Sequence, residues 1–258
     1  MKRKPEVQFS SKGGARRDDD AARQQRAAGK RTSRRLGAVA LLVLVASALV
    51  VAWRVAAGLV VMTAGGGAAG AESDALLTLV NPDHPVPEDW RADPVKVEGQ
   101  YVDRRAAADL KAMLAAARAE GLEPLICSGY RTQEKQTQLF DNKLSRCMAQ
   151  GLSAEDAAVE AALWVARPGT SEHQLGLAVD IVSRENQNLD DSQADTPAQQ
   201  WLMAHCWEYG FIFRYPKDKT DVTKIGYEPW HYRYVGRTAA KEITSLGVCL
   251  EEYLAARD

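Results

Sequence analysis

The sequence predicts an α+β fold: a small, mostly antiparallel sheet packed with helices, preceded by a disordered basic tail and one transmembrane helix. Three features of the 258-residue chain predict it. Residues 1–35 carry twelve Lys and Arg against four acids, with Phe9 the only aromatic. Residues 36–53 hold no charge at all. From about residue 101, helical and strand patterns alternate in the order α-β-α-α-β-α-β-β-α.

The basic tail cannot bury enough apolar surface to offset its chain entropy, so residues 1–35 are expected to be disordered and cytoplasmic. "LGAVALLVLVASALVVAW" (36–53) would span roughly 27 Å as a helix, close to one hydrocarbon core. Apolar character resumes after Arg54, which can snorkel to the headgroups, so the anchor is placed at 36–62. A core helix is rarely apolar on every face. Net charge is +8 over residues 1–35 and about −10 from residue 65 onward, with Lys30, Arg31, Arg34 and Arg35 abutting the span. That asymmetry puts the N-terminus inside and the bulk of a single-pass cell-membrane protein outside. The basic tail is read as a flank to anionic lipid, not as a nucleic-acid site. Ala69-Gly70-Ala71 resembles a signal-peptidase site, but the apolar stretch exceeds an ordinary signal core, which favours an uncleaved anchor. A Gly/Ala-rich linker (63–76) then leads to a folded domain at 77–258.

Within that domain, "DRRAAADLKAMLAAARAEG" (103–121) is a helix that Asp103 can cap and Gly121 can end. "EPLICS" (123–128) is a short strand closed by the Gly129 turn. Residues 132–151 and 153–167 are two further helices, the second opened by Ser153 with Asp156 at capping-box spacing. In "PGTSEHQLGLAVDI" (168–181), Leu175, Leu177, Val179 and Ile181 alternate as in a half-buried strand. Residues 197–210 form a helix ended by Gly210, 211–215 and 229–235 read as strands, and a last helix begins near Arg237. Cys127, Cys147, Cys206 and Cys249 all fall on the outer side, where an even number permits two disulfides in three connectivities. No CxxC occurs, which argues against a cysteine-based zinc site.

The chemistry concentrates in few residues. Of four histidines, His84 lies in a Pro-rich arm and His205 on an amphipathic helix, both ordinary surroundings. His173 and Asp180 share one short segment, and His231 opens an apolar strand three residues after Glu228. Two imidazoles and a carboxylate make a three-ligand zinc site with a fourth position for water, whose proton a non-ligand carboxylate can take. Spacing alone leaves this open against plain packing, with Asp180 an ordinary exposed acid.

"SGYRT" (128–132), "SEHQLGLAVDI" (171–181) and "EPWHYRYVG" (228–236) together resemble the VanY-like zinc D-alanyl-D-alanine carboxypeptidases. That family's pattern is S-x-H-x-x-G-x-A-x-D followed by E-x-W-H. Ser171, His173, Gly176, Ala178 and Asp180 fill the first part, and Glu228, Trp230 and His231 fill the second. The resemblance implies a catalytic domain over 77–258 with one Zn2+ held by His173, Asp180 and His231, and Glu228 as general base. It also implies that the Ser128-Gly129-Tyr130-Arg131 turn faces a peptidoglycan stem peptide. A planar cation at a strand-to-helix turn suits a carboxylate or developing oxyanion, though Arg131 also fits a surface ion pair. Ser171 is expected near the ligands and Gly176 at a tight turn, while Trp230 suits packing better than substrate contact. The expected activity is removal of terminal D-alanine by a monomer. The same motifs also serve an L,D-carboxypeptidase or an endopeptidase. A non-catalytic wall-binding module with structural zinc is disfavoured by the intact Glu228. A serine peptidase of the penicillin-binding kind needs Ser-x-x-Lys, which the chain lacks.

Overall fold

The structure, a computed structural model, describes residues 74–257. The tail (1–35), the anchor (36–62) and most of the linker lie outside the described residues. Among the described residues no helix is long and apolar enough to cross a membrane. Leu76, at the end of the expected linker, packs against the main core.

The first elements form a hairpin, β1 (Pro94–Val97) and β2 (Gln100–Asp103), which the sequence reading did not anticipate. Its two-residue turn puts Glu98 and Gly99 at φ 47° and 92°, and Glu in place of Asn or Asp hid the signal. Asp103 then caps α1 (Arg104–Ala119), its carboxylate accepting from the Arg105 amide. β3 (Pro124–Ser128), α2 (Gln133–Ala149) and α3 (Ala154–Trp164) follow as expected, α3 opening on the Ser153–Asp156 cap. β4 (Ala178–Ser183) starts later than the alternation suggested, because Glu172–Leu175 form a 3-10 turn that Gly176 ends at φ 76°. A side chain at Gly176 would be strained there, and its Cβ would press on the Asp103 backbone nitrogen at 3.0 Å. β4 is buried along its whole length, so it is fully covered, not half-buried, and Asp180 is not an exposed acid.

α4 (Pro197–His205) passes through a 3-10 turn (Cys206–Tyr209) to β5 (Phe211–Phe213), then a one-turn α5 (Thr220–Thr223) precedes β6 (His231–Tyr234). α6 (Arg237–Leu246) and α7 (Leu250–Ala255) close the domain. The main sheet has the antiparallel order β3-β4-β6-β5. Its two faces have different jobs. Val179 and Ile181 of β4 and Tyr232 and Tyr234 of β6 enter a core with Leu110, Met113 and Leu114 of α1 and Leu202 of α4. Side chains alternate along a strand, so Asp180, His231 and Arg233 point the other way.

On that second face three buried charges meet. Glu172 accepts from Arg214 at 2.7 Å and from Arg233 at 2.9 Å, all three side chains fully buried. Arg214 also holds Glu251 of α7 at 2.7 Å, and Arg233 donates to the carbonyls of Leu76 and Thr78 at 2.9 Å. The cluster therefore fastens the N-terminal arm, β6 and the C-terminal helix to the turn that carries His173. The four cysteines are free, so the disulfides that their even number permitted do not form. Cys206 sits in the main core, Cys147 packs between α2 and α3, and Cys249 caps α7, each in a separate environment. Burial pushes the Cys206 thiol up to about 12, so it behaves as a small apolar residue.

Removing the charge of Glu172 leaves two buried guanidinium groups without their shared partner. Glu172→Gln is expected to lower unfolding free energy by about 3–5 kcal/mol in urea titrations. A loss below about 1 kcal/mol, the range of an exposed pair, would show that the cluster is not structural.

Candidate active site

The antiparallel register of β4 and β6 sets Asp180 directly opposite His231. A bulge between Ile126 and Ser128 shifts β3 so that Ser128, too, pairs with Asp180. The Glu172–Leu175 turn brings His173 to the same point. Donor atoms of His173, Asp180 and His231 all lie within 4.8 Å of one another, and all three residues are buried. Gly129, whose carbonyl meets His173, runs so close to β2 that any Cβ there would collide with the Tyr101 carbonyl.

The hydrogen bonds assign the ring nitrogens. His173 Nδ1 is 2.8 Å from the Gly129 carbonyl, which only accepts, so Nδ1 carries the proton and Nε2 keeps its lone pair. His231 Nε2 donates to Glu172 at 3.2 Å, which turns Nδ1 toward Asp180 Oδ1 at 3.1 Å and Glu228 Oε2 at 3.5 Å. Burial, with the charge of Arg131, lowers the His173 pKa to about 4, so the ring is neutral at pH 7. Its lone pair then faces Asp180 Oδ2 at 3.2 Å, two acceptors aimed at one another. A cation between them removes that conflict. The donor set of two imidazole nitrogens and one carboxylate fits zinc.

Charge is distributed accordingly. Burial works against the Asp180 carboxylate, yet the two histidines and Arg131 hold its pKa well below the usual range. Burial also disfavours charge on His231, but hydrogen bonds to Asp180 and Glu172 outweigh it and lift its pKa to about 9. Glu228 lacks such compensation. Its burial raises the pKa to about 8, opposed by His231 and Arg131. A cation on the three ligands acts in the same direction as those two groups and favours the carboxylate.

These residues line one cavity of about 520 Å³ that contains Arg131, Ser171, His173, Asp180, Glu228, Trp230 and His231. Arg131 is not free: its Nη2 donates to Asp180 at 2.6 Å and its Nε to Ser128 Oγ at 3.0 Å. Ser128 therefore supports Arg131 and is not itself among the cavity-lining residues, and neither is Tyr130. Trp230 is 6% exposed, so it packs in the wall while touching the cavity. Sequence reasoning missed Glu172, Arg214 and Arg233, and also Gln136, which accepts from Arg131 Nη1 at 3.4 Å. It missed Tyr215 as well, whose ring lies 4.7 Å from that of His231. The available signal was an arginine inside each of two apolar strand segments, "FIFRY" and "HYRY", since a buried cation requires a partner.

Comparison with known proteins agrees with this geometry. The family model for VanY, D-alanyl-D-alanine carboxypeptidase, matches residues 99–237. A D-alanyl-D-alanine carboxypeptidase of Enterococcus faecalis is 44% identical over 187 residues, 72% of this chain and 68% of the relative. A vancomycin-resistance D,D-pentapeptidase VanY from a VanB-type cassette, solved as a mutant with Zn(II), is 43% identical with TM-score 0.64. That match covers 70% of this chain and 99% of the other. The LD-carboxypeptidase LdcB is 39% identical with TM-score 0.61, over 71% of this chain and 87% of the other. The chain belongs to the VanY family of D-alanyl-D-alanine carboxypeptidases.

Proposed function

We propose that this protein is a zinc-dependent D,D-carboxypeptidase that removes the C-terminal D-alanine from peptidoglycan stem peptides. The observation that carries the reading is the convergence of His173, Asp180 and His231 with a non-ligand carboxylate, Glu228, at their side. When bound, zinc supplies Lewis-acid polarisation of the scissile carbonyl and lowers the pKa of the attacking water. Glu228, beside the ligands and not among them, would take a proton from the attacking water and give one to the departing amine. Gly129 and Glu172 orient His173 and His231 with Nε2 and Nδ1 toward Asp180, and His231 would release its Nδ1 proton when a cation binds.

Arg131 keeps N–H groups beyond those given to Ser128, Asp180 and Gln136, and it faces the cavity. It is suited to hold the terminal carboxylate that defines an exopeptidase substrate. The length of the apolar stretch supports an uncleaved anchor at 36–62, and the charge asymmetry around it would place a monomeric domain outside the membrane, beside its polymeric substrate. A second reading, an L,D-carboxypeptidase acting on tetrapeptides, is favoured by the 39% identity to LdcB, because the same catalytic set serves either bond. Incubating the full chain with penta- and tetrapeptide stems and weighing the released amino acid decides between them. D-alanine from the pentapeptide alone is expected, and release from the tetrapeptide alone would favour the second reading.

The metal set leads to a paired expectation. The purified protein should hold about one zinc, the usual occupancy of a three-ligand site. Alanine at any of His173, Asp180 or His231 should abolish both zinc content and activity. Glu228→Ala should keep the zinc and lose ~10²–10⁴-fold in turnover. A fully active protein without zinc would end the reading.

The role of Arg131 is tested with blocked substrates. If it holds the terminal carboxylate, amidating that group should cost about as much as Arg131→Ala, ~10–150-fold in kcat/KM. The two losses should not add, since each removes the same pair. Arg131 also braces Asp180, so zinc affinity of Arg131→Ala must be measured alongside. Equal losses on free and amidated peptides would assign Arg131 to the oxyanion or to Asp180 alone.

A further inference from the structure

The cavity that holds the metal ligands is also lined by side chains of different chemistry. Among them are Lys143 and Arg146 of α2, Gln150 just after it, and Trp164 at the end of α3. Lys143 and Arg146 are three residues apart, hence on one helix face. The Lys143 ammonium lies 5.5 Å from the centroid of the Trp164 ring. Among the described residues neither cation has a carboxylate partner. The acids that line the cavity, Glu172, Asp180 and Glu228, all lie at His231. The reacting groups and the two cations thus line one cavity, and the acid beside Trp164, Glu160, accepts from its indole at 2.9 Å and is not among the lining residues. Arg146, in the last turn of α2, also offsets the carbonyl end of that helix. That use does not account for Lys143, one turn earlier and turned to the same space.

We propose that Lys143 and Arg146 form a subsite for a carboxylate of the substrate on the N-terminal side of the scissile bond. The proposal rests on the function above. C-terminal trimming puts the scissile bond beside the metal ligands, so the remainder of the peptide must contact other groups that line the cavity. Stem peptides offer two sources of such a carboxylate: the free α-carboxylate of a γ-linked D-glutamate, and the extra carboxylate of a diamino diacid at the third position. The Trp164 face beside Lys143 suits the aliphatic part of either residue.

The test measures binding to the full-length, zinc-loaded protein carrying Glu228→Ala, so that peptide is not consumed. Four pentapeptides are titrated by calorimetry. They combine D-glutamate or its α-amide at position two with diaminopimelate or lysine at position three. Loss of the recognised carboxylate should weaken binding roughly tenfold at low salt, less at high salt, and the responding pair of peptides identifies its source. Adding Lys143→Gln and Arg146→Gln should remove that preference, with little effect on the carboxylate-free peptide. Lys143→Arg with Arg146→Lys should restore it, which separates charge recognition from a folding defect. Equal affinity for all four peptides, or a preference unchanged in the neutral variant, would overturn the subsite. A wild-type protein that releases no amino acid defeats the proposed function instead, and the binding contrast still decides the subsite.

Discussion

Glu172, fully buried between Arg214 and Arg233, is the interaction on which the rest of the site depends. Three charges withdrawn from water are costly, and a buried ion pair is often no more stabilising than apolar residues of the same size. Here the cluster obtains position in return. Burial opposes the Glu172 charge, but the two guanidinium groups hold its pKa below the usual range, so it stays an acceptor. An acceptor at that place fixes His231 with Nε2–H inward and Nδ1 toward Asp180. The same arginines reach Glu251 on α7 and the carbonyls of the N-terminal arm. Metal-ligand geometry and closure of the domain are thus one structure, and damage to either should be felt in both.

The sheet does the remaining work through its twofold periodicity. One strand face supplies Val179, Ile181, Tyr232 and Tyr234 to the core, and the other presents Asp180 and His231 to the cavity. A one-residue slip between β4 and β6 would exchange those sets, burying ligands in the core and pushing tyrosines into the cavity. The core therefore enforces the register that brings the ligands together. The bulge in β3 extends this to Ser128, which steadies Arg131 against Asp180.

Much of this was legible in the chain. Alanine-rich helices with clear caps at Asp103 and Ser153 announced themselves, as did the His173, Asp180, Glu228 and His231 set once three motifs were seen together. What was not legible depended on distant partners. Glu172 sits inside the first motif, but its meaning comes from Arg214 and Arg233, which lie 42 and 61 residues away. The β1–β2 hairpin was hidden by a glutamate at a positive φ. Leu175 followed the strand alternation yet lies in a 3-10 turn, because Gly176 breaks the extended chain at that point. The cysteine count suggested disulfides, whereas the fold places the cysteines in separate surroundings.

The central claim is that hydrogen bonds from Gly129 and Glu172 select which ring nitrogens meet the metal. A high-resolution crystal structure of the zinc-loaded protein tests it most directly. The account predicts zinc on His173 Nε2, His231 Nδ1 and a carboxylate oxygen of Asp180, with Glu228 unligated and Glu172 still bonded to His231 Nε2. Zinc on His231 Nε2, or ligated by Glu228 or Glu172, would contradict it.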